Sequence, residues 1–311
     1  VTTDPPAPVN GQMWYNSTTQ VMKGFTSNPV GTWSTGSALN TARSALGGVG
    51  IQTAALAFGG SPPPAPSAKN ETEQWNGSSW TEVNNLNTAR AYVAAAGLYT
   101  SAVASGGDQL SGTSESWNGS SWTNITSSPN GGNSKGGAGV DNEDCFFWGG
   151  TPPTVNTEYW NGSSWTEVNN LNTAVKTGSS AGTYAAALSM GGISGPNTTT
   201  AETESWNGST WTEVNDMNTA RRYINSYSLG TNTSAIVAGG DVPPSTGKTE
   251  SWNGSSWTET TDLNTARGTL GGAGASNSSS LAYGGANPSS DQGATEEFVS
   301  PTTSTVTFTA S

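Results

Sequence analysis

The chain has 311 residues, a net charge of −12, one Cys and no His. The negative charge opposes binding to the phosphate backbone of nucleic acids, and the absence of imidazole argues against a copper or zinc site of the usual kind. Because no apolar run approaches the length of a membrane span, the sequence predicts no nucleic-acid partner, no metal or other cofactor, and no membrane insertion.

Residues 1–30 are predicted to form an N-terminal extension. Residues 1–10 are rich in Pro and Thr and lack the basic start and apolar core of a signal peptide. Residues 12–15 and 21–25 flank a turn, which indicates a β-hairpin unlike any other in the chain. We expect this hairpin to dock onto a partner. The predicted docking residues are Trp14, Tyr15 and Phe25.

From residue 31 onward the chain is built from similar repeats. The segment Trp-Asn-Gly-Ser-Ser/Thr-Trp occurs five times, and Asn-Gly between strand-forming residues is the strongest short-range signal for a hairpin. A Gly-Gly pair ends the second strand of each repeat and recurs at intervals of about 45 residues, a spacing typical of propeller blades. The first glycines of these pairs are Gly59, Gly106, Gly149, Gly191, Gly239 and Gly284.

Six units of four short strands predict an all-β fold, a six-bladed β-propeller over residues 31–311 with an N-terminal hairpin extension. A four-stranded sheet cannot bury both of its faces alone, so neighbouring sheets must cover it. In the last unit Phe298 replaces the first Trp, and residues 306–309 are expected to supply the final strand of the sixth blade. Whether residues 32–33 add an outer strand to that blade stays open at this point.

The repeat has a recognisable set of marks: the Gly-Gly pair, an aromatic residue, a Trp shortly after it, and a Leu-Asn-Thr-Ala-Arg tail such as residues 86–90. Over residues 31–311 this combination resembles the Kelch repeat. The chain departs from the Kelch pattern because Trp75 and its equivalents stand where Kelch repeats have Tyr, and the turn before the second Trp is shorter. The resemblance implies a Kelch-like β-propeller and no specific Kelch partner.

A narrower resemblance involves the repeated Trp-Asn-Gly-Ser-Ser-Trp-Thr-Glu-Val segments behind the hairpin sequence of residues 11–19. Together they resemble Kelch-like proteins encoded by marine bacteriophages, and the hairpin resembles short elements of phage tail and fibre proteins. The resemblance implies a structural protein of the virion, on the tail, fibre or capsid surface and outside cells. Its implied partners are other virion proteins, in a larger homo- or hetero-oligomeric assembly, and a host receptor or glycan to which it attaches.

Carboxylates are the strongest catalytic candidates, since serine and cysteine nucleophiles lack their usual His base here. A Glu stands two residues before the first aromatic residue in all six units, and paired carboxylates carry out glycoside hydrolysis. Sixfold repetition favours a structural role, because a catalytic pair needs two unlike environments. We expect these glutamates to pair with the repeated arginines. The residues are Glu73, Glu115, Glu158, Glu204, Glu250 and Glu296, with Arg43, Arg90, Arg221 and Arg267.

The sequence therefore predicts a protein without enzymatic activity. Two alternatives stay open: a carbohydrate-active enzyme, either a glycosidase or a lyase, on a propeller scaffold, and a bacterial surface adhesion or filament subunit. A binding site is expected on loops that differ between matching units, because a rigid scaffold leaves specificity to its loops. Residues 61–69, 193–200 and 241–248 are such loops. The predicted binding residues are Pro62, Pro63, Pro64, Lys69, Arg222, Tyr223, Asp241 and Lys248.

Overall fold

The fold is taken from a computed structural model, which describes residues 1–9, 11–28, 31–61, 67–108, 112–224, 230–300 and 302–308. The regular elements in these ranges are all β-strands, so the predicted all-β class is confirmed. No helix that is long and apolar enough to cross a membrane occurs in the part of the chain that the structure describes.

Thirty strands follow one another in the described ranges. The first eleven are β1 (Met13–Asn16), β2 (Val21–Asn28), β3 (Thr32–Gly36), β4 (Gly47–Ile51), β5 (Ala54–Phe58), β6 (Thr72–Trp75), β7 (Trp80–Val83), β8 (Ala94–Leu98), β9 (Ser101–Ser105), β10 (Ser114–Trp117) and β11 (Trp122–Ile125). The next nine are β12 (Gly136–Gly139), β13 (Cys145–Trp148), β14 (Thr157–Trp160), β15 (Trp165–Glu167), β16 (Val175–Lys176), β17 (Ser179–Thr183), β18 (Ala186–Ser194), β19 (Thr198–Trp206) and β20 (Trp211–Val214). The last ten are β21 (Gly230–Thr231), β22 (Ser234–Ala238), β23 (Thr249–Trp252), β24 (Trp257–Thr260), β25 (Gly271–Ser276), β26 (Ser279–Tyr283), β27 (Ala286–Asn287), β28 (Ser290–Asp291), β29 (Thr295–Val299) and β30 (Thr302–Phe308).

Each repeat unit supplies the strands of one antiparallel sheet, except that β3 completes the last sheet. Five of the sheets contain four strands, and the fourth sheet has five because both β16 and β17 pair with β18. This succession of four-stranded sheets is consistent with a propeller-like architecture. The sheets are β4–β7, β8–β11, β12–β15, β16–β20, β21–β24 and the set β25, β26, β29 and β3.

The outer strand of the last sheet comes from the beginning of the chain. β3 pairs with β29 and places Trp33 opposite Phe298, with ring centroids 5.1 Å apart. Trp33 thus fills the position that the second Trp of the hairpin holds elsewhere. The expectation that residues 306–309 supply this strand is wrong, because β30 pairs with β2 instead; residue 309 lies outside the described residues.

A separate three-stranded sheet, in the order β1, β2 and β30, therefore joins the two ends of the described chain. We call it the extension sheet. The predicted division at residue 30 falls between β2 and β3. The extension also includes β30, which the sequence division assigned to the repeats.

Small residues are frequent in the strands through which neighbouring sheets meet, because these strands approach one another closely. β4 contacts β8 and β25, β12 contacts β8 and β17, and β21 contacts β17 and β25. A Cβ atom added to Gly48 would lie 2.8 Å from the carbonyl oxygen of Gly272, and one added to Gly137 would lie 2.4 Å from that of Ala95. Backbone therefore packs directly on backbone where the sheets meet.

The tryptophan hairpins supply the core between the sheets. Trp75 and Trp80 are directly opposite in β6 and β7, with ring centroids 5.4 Å apart. The loop between them has four residues rather than a two-residue Asn-Gly turn. Asn76 Oδ1 accepts hydrogen bonds from the backbone N–H groups of Ser78 and Ser79, at 2.9 and 3.0 Å. The predicted hairpin is thus confirmed, and its turn is an Asn-stabilised loop.

Candidate binding face around a backbone ring

The repeated glutamates are buried and fully engaged in holding the fold. Glu73 accepts hydrogen bonds from Arg43 Nη1 at 2.5 Å and from the backbone N–H of Asn40 at 2.7 Å. The arginine and the asparagine both belong to the connector that leads into the sheet of Glu73. The predicted pairing is confirmed for all four arginines. The ion pairs are Arg43–Glu73, Arg90–Glu115, Arg221–Glu250 and Arg267–Glu296.

The third and fourth units have no arginine at this position, and each supplies its glutamate with other hydrogen-bond donors. Gly132 stands at the arginine position of the third unit, and Lys135, three residues further on, reaches Glu158 Oε2 at 2.9 Å. Burial lowers the pKa of Lys135, and Glu158 opposes that shift. In the fourth unit, Glu204 accepts backbone N–H groups from Asn172 and Thr173 and forms no ion pair with any described residue.

A closed ring of backbone hydrogen bonds links the six connectors. In each connector the residue two positions after the arginine site donates its N–H to the carbonyl of the equivalent residue in the preceding unit, at 2.8 to 3.0 Å. Ala45 donates to Thr269 and so completes the circle. All six residues have left-handed φ angles between 50° and 61°. The ring residues are Ala45, Tyr92, Ser134, Thr177, Tyr223 and Thr269.

The surface around this ring differs from unit to unit. We call it the ring face and define it as the six ring residues, the residue before each of them, the residue after each Gly-Gly pair, and Asp291, which pairs with one of these residues, Ala286. The residues before the ring are Ser44, Ala91, Asn133, Lys176, Arg222 and Gly268. Those after Gly-Gly are Ser61, Asp108, Thr151, Ile193, Asp241 and Ala286.

Two of the six ring residues are tyrosines. Tyr92 and Tyr223 hold the second and fifth ring positions, which are opposite each other in a ring of six. Burial raises the pKa of Tyr92, and the nearby Tyr223 and Asp108 add to the shift, so its hydroxyl group stays protonated. The Arg222 guanidinium lies 5.4 Å from the centre of the Tyr223 ring, in a cation–π arrangement.

Three aspartates surround the tyrosines. Asp108 accepts a hydrogen bond from Asn133 Nδ2 at 2.5 Å, and Asp241 accepts one from Ser245 Oγ at 2.7 Å. Burial raises the pKa of Asp108 and of Asp291, and a single hydrogen bond to each carboxylate opposes the shift. Asp108 and Asp291 are therefore partly shielded from water, and the charges of all three aspartates act on Tyr92.

Two open cavities indent the ring face. One, of about 200 Å³, is lined by Tyr92, Asp108, Asn133, Ser134, Lys176 and Tyr223 among others. The other, of about 310 Å³, includes Arg222, Asp241, Pro243, Pro244, Gly268 and Pro288 in its lining. Beneath the ring a third cavity of about 30 Å³ lies against Leu46, Ile224 and Leu270, which is room for a water molecule.

The structure brings three of the sequence-predicted binding residues together: Arg222, Tyr223 and Asp241 all belong to the ring face. Lys69 and Lys248 line neither of its cavities. Lys69 Nζ lies 3.6 Å from Glu71 Oε1, and Lys248 Nζ lies 3.3 Å from Glu259 Oε1. The remaining predictions, Pro62, Pro63 and Pro64, lie outside the described residues.

Several ring-face residues escaped the sequence analysis. For Tyr92, Asn133 and Lys176 the signal is positional: once the units are aligned on the arginine site, the next two positions change identity from unit to unit. Asp108 stands at another variable position, directly after a Gly-Gly pair, and Asp291 has no equivalent signal. The residues missed are Tyr92, Asp108, Asn133, Lys176 and Asp291.

The docking residues predicted in the extension lie on opposite faces of its sheet. Trp14 is buried and donates through Nε1 to Asp4 Oδ1 at 3.1 Å. Lys23 is directly opposite Trp14, and Phe25, two residues after Lys23, therefore lies on the same face as Trp14. Only Tyr15 is on the exposed face. Trp14 therefore anchors the N-terminal segment instead of offering a docking contact. The exposed apolar side chains on the other face are Met13, Tyr15, Met22 and Phe308.

In the described ranges no group of three or more His, Cys, Asp or Glu side chains is placed to hold a metal ion. The absence of any cofactor stays a prediction. No protein-family model matches the chain, and no curated protein matches it. The Kelch-like resemblance therefore depends on the repeat residues, and the phage-like resemblance on these and the hairpin of residues 11–19.

Proposed function

We propose that this chain is a six-bladed, Kelch-like β-propeller that serves as a non-enzymatic attachment protein of a bacteriophage virion. In this proposal the ring face binds a host receptor or glycan, and the extension sheet docks onto other virion proteins. The virion assignment depends on the sequence resemblance. The binding role depends on the geometry of the ring face.

Three sets of contacts support a closed wheel of six blades. One strand of each sheet touches its neighbours in circular order, through β4, β8, β12, β17, β21 and β25, with β25 against β4. The six ring residues form a hydrogen-bonded circle. In addition, the second glycine of each Gly-Gly pair donates its N–H to the carbonyl at the arginine site of the next unit, and Gly285 of the last unit donates to Arg43 at 3.0 Å.

The observation that carries the binding role is where the units differ. The Trp hairpins and the buried glutamates recur with little change, whereas the ring face carries Tyr, Asp, Lys, Arg and Asn in one unit or another. A rigid scaffold with variable, chemically rich positions at one end is the usual arrangement of a binding surface. The opposite end carries the repeated Asn-Gly-Ser loops.

The extension sheet supports a docking role for a different reason. Its exposed face presents Met13, Tyr15, Met22 and Phe308, which are 60%, 49%, 42% and 48% exposed. Clustered apolar side chains of this kind suit a protein–protein contact. Other virion proteins are the proposed partners.

A glycosidase is the second candidate, because burial raises the pKa of two ring-face carboxylates, Asp108 and Asp291. A raised pKa is what a general acid needs. The repeated glutamates do not fit this role, since each is already occupied by connector donors.

The test is a cell-binding assay with a fluorescent form of the chain and a panel of marine bacterial strains, read by flow cytometry. We expect the chain to label a subset of strains and Tyr223→Ala to abolish the labelling. The exposed-strand variant Glu82→Gln should label as the original chain does. The absence of labelling throughout a broad panel would contradict the attachment role, and release of reducing ends from marine polysaccharides would favour the glycosidase.

A further inference from the structure

We infer that the 200 Å³ cavity between Tyr92 and Tyr223 binds a single neutral sugar residue, the terminal unit of a glycan. This inference rests on the proposed attachment function and names the ligand class of the same face. Four properties of the cavity point to this chemistry: its charge balance, its hydrogen-bonding groups, its aromatic walls and its rigid floor.

The charged side chains that line the cavity balance; Asp241 and Asp291, which also act on Tyr92, lie outside this lining. Asp108 and Lys176 are the acidic and basic residues among those that line it. A cation would be attracted by Asp108 and repelled by Lys176, and an anion would meet the reverse. Uncharged ligands escape this cancellation, so the cavity favours a neutral polar molecule over an ion of either sign.

The hydrogen-bonding groups match a polyhydroxyl ligand. Asn133 Nδ2 fixes the Asp108 carboxylate with one hydrogen bond at 2.5 Å, which leaves further acceptor capacity on its oxygens. Lys176 takes part in none of the ion pairs among the described residues, so its three N–H donors are available. Adjacent sugar hydroxyls each donate and accept, and they can therefore bridge the carboxylate and the ammonium group.

The tyrosines supply the apolar part of the contact. A sugar ring has faces of C–H groups between its hydroxyls, and these faces pack against aromatic rings. Tyr92 and Tyr223 enter the cavity from opposite ring positions and are both half-buried. Because the pKa of Tyr92 is raised, its hydroxyl remains a hydrogen-bond donor over the whole physiological range.

The floor of the cavity is fixed before any ligand binds. Ser134 and Thr177 lie between the tyrosines in the ring. The backbone N–H of each donates a hydrogen bond of 3.0 Å to the carbonyl of the preceding ring residue. A preformed site loses little conformational entropy on binding. This allows a small ligand such as one sugar residue to bind measurably.

The chain itself shows that the tyrosines are replaceable without loss of the ring. Ala45 occupies the equivalent ring position with φ of 53°, against 52° for Tyr92 and 50° for Tyr223. Tyr92→Ala and Tyr223→Ala therefore keep an arrangement that alanine already adopts here. Asp108→Asn retains the size of the side chain while removing its charge and part of its acceptor capacity.

The experiment is saturation-transfer-difference NMR on the full chain with six separate probes. Four are neutral: the methyl glycosides of glucose, galactose, mannose and fucose. Two are charged: glucuronate and choline. We expect at least one neutral glycoside to bind, and its affinity to fall by about tenfold or more in Tyr223→Ala and in Asp108→Asn, because each removes direct contacts. Glu82→Gln should bind as the original chain does.

Binding of only glucuronate or choline would overturn the inference, as would binding of no probe. Neutral-sugar binding that Tyr223→Ala and Asp108→Asn leave unchanged would overturn it as well, by placing the sugar elsewhere. The proposed function can fail separately from this inference. Cell labelling that is lost in Tyr223→Ala, with no probe bound, would support attachment and contradict the neutral-sugar ligand. Sugar binding with no cell labelling would support the ligand and contradict attachment.

Discussion

The buried glutamate layer and the ring face lie in the same repeat units, yet they treat sequence differences in opposite ways. Where an arginine is lost in the third unit, Lys135 replaces its charge from another position and keeps Glu158 paired. On the ring face no such compensation occurs, and Tyr, Ser, Thr and Ala occupy equivalent places. The glutamate layer keeps a buried, hydrogen-bonded carboxylate in every unit, with a cation in five units and with backbone and amide N–H donors in the fourth. The ring constrains only backbone geometry, so its side chains are free to serve a ligand.

The largest expected effect comes from breaking a buried ion pair. Arg221→Ala leaves the buried Glu250 without its cation and with only the N–H donors of Asn218 and Thr219. We expect the free energy of unfolding to fall by about 3–5 kcal/mol. The measurement is urea unfolding followed by tryptophan fluorescence.

A matched control lies in the same unit. Lys248 and Glu259 are 44% and 59% exposed, so Lys248→Ala should cost under about 1 kcal/mol. Equal losses from the two variants would mean that burial does not separate the glutamate layer from the surface.

The second prediction concerns the hairpin tryptophans, which repeat in sequence but not in environment. Trp122 is 5% exposed and donates through Nε1 to Thr72 Oγ1 of the preceding sheet at 3.1 Å. Trp165, its equivalent in the third unit, is half-buried and donates to the Thr126 carbonyl. We expect Trp122→Ala to cost about 3–5 kcal/mol and Trp165→Ala measurably less. A larger loss from Trp165→Ala in the same unfolding assay would reverse this ranking.

The repeated elements could be predicted from sequence because they are local. Trp, Asn and Gly within six residues define a hairpin, and a Glu beside it with an Arg in the preceding connector predicts the ion pair. The ring could not be predicted in this way. Its hydrogen bonds join residues from separate units, and its left-handed positions hold Ala, Tyr, Ser and Thr instead of the glycine that usually marks such a backbone.

The positions of β3 and β30 show a second limit of sequence reasoning. Both are short Thr-rich strands, so their composition does not decide which one completes the last sheet. The deciding contact is between Trp33 and Phe298, residues from opposite ends of the chain. Lys135 was missed for a similar reason, because its side chain reaches a site that the other units fill from a different sequence position.

The third prediction separates stability from binding on the ring face. Tyr223→Ala removes a half-buried side chain and leaves a residue that Ala45 already shows to fit the ring conformation. We expect the free energy of unfolding to change by less than about 1 kcal/mol while cell labelling and sugar binding are lost. Urea unfolding of the same preparations measures the first quantity. A loss as large as that of Trp122→Ala would place Tyr223 with the structural residues and remove the contrast between the two regions.

The smallest expected effect concerns the hydrogen bonds that Asp4 accepts in the extension. Asp4 accepts hydrogen bonds from Lys23, Asn16 and Trp14, and these partners lower its pKa to about 2. Because the folded pKa is depressed, the carboxylate stabilises the docked N-terminal segment above the ordinary aspartate range, and this contribution is lost as the pH falls through about 2.

NMR of the Trp14 indole N–H between pH 6 and the acid limit should show a transition near that value. In Asp4→Asn the transition should disappear while the indoles of the repeat hairpins stay unchanged, since none of them donates to a carboxylate of the described residues. A transition shared by all the indoles would instead indicate that the extension sheet and the repeats unfold together in acid.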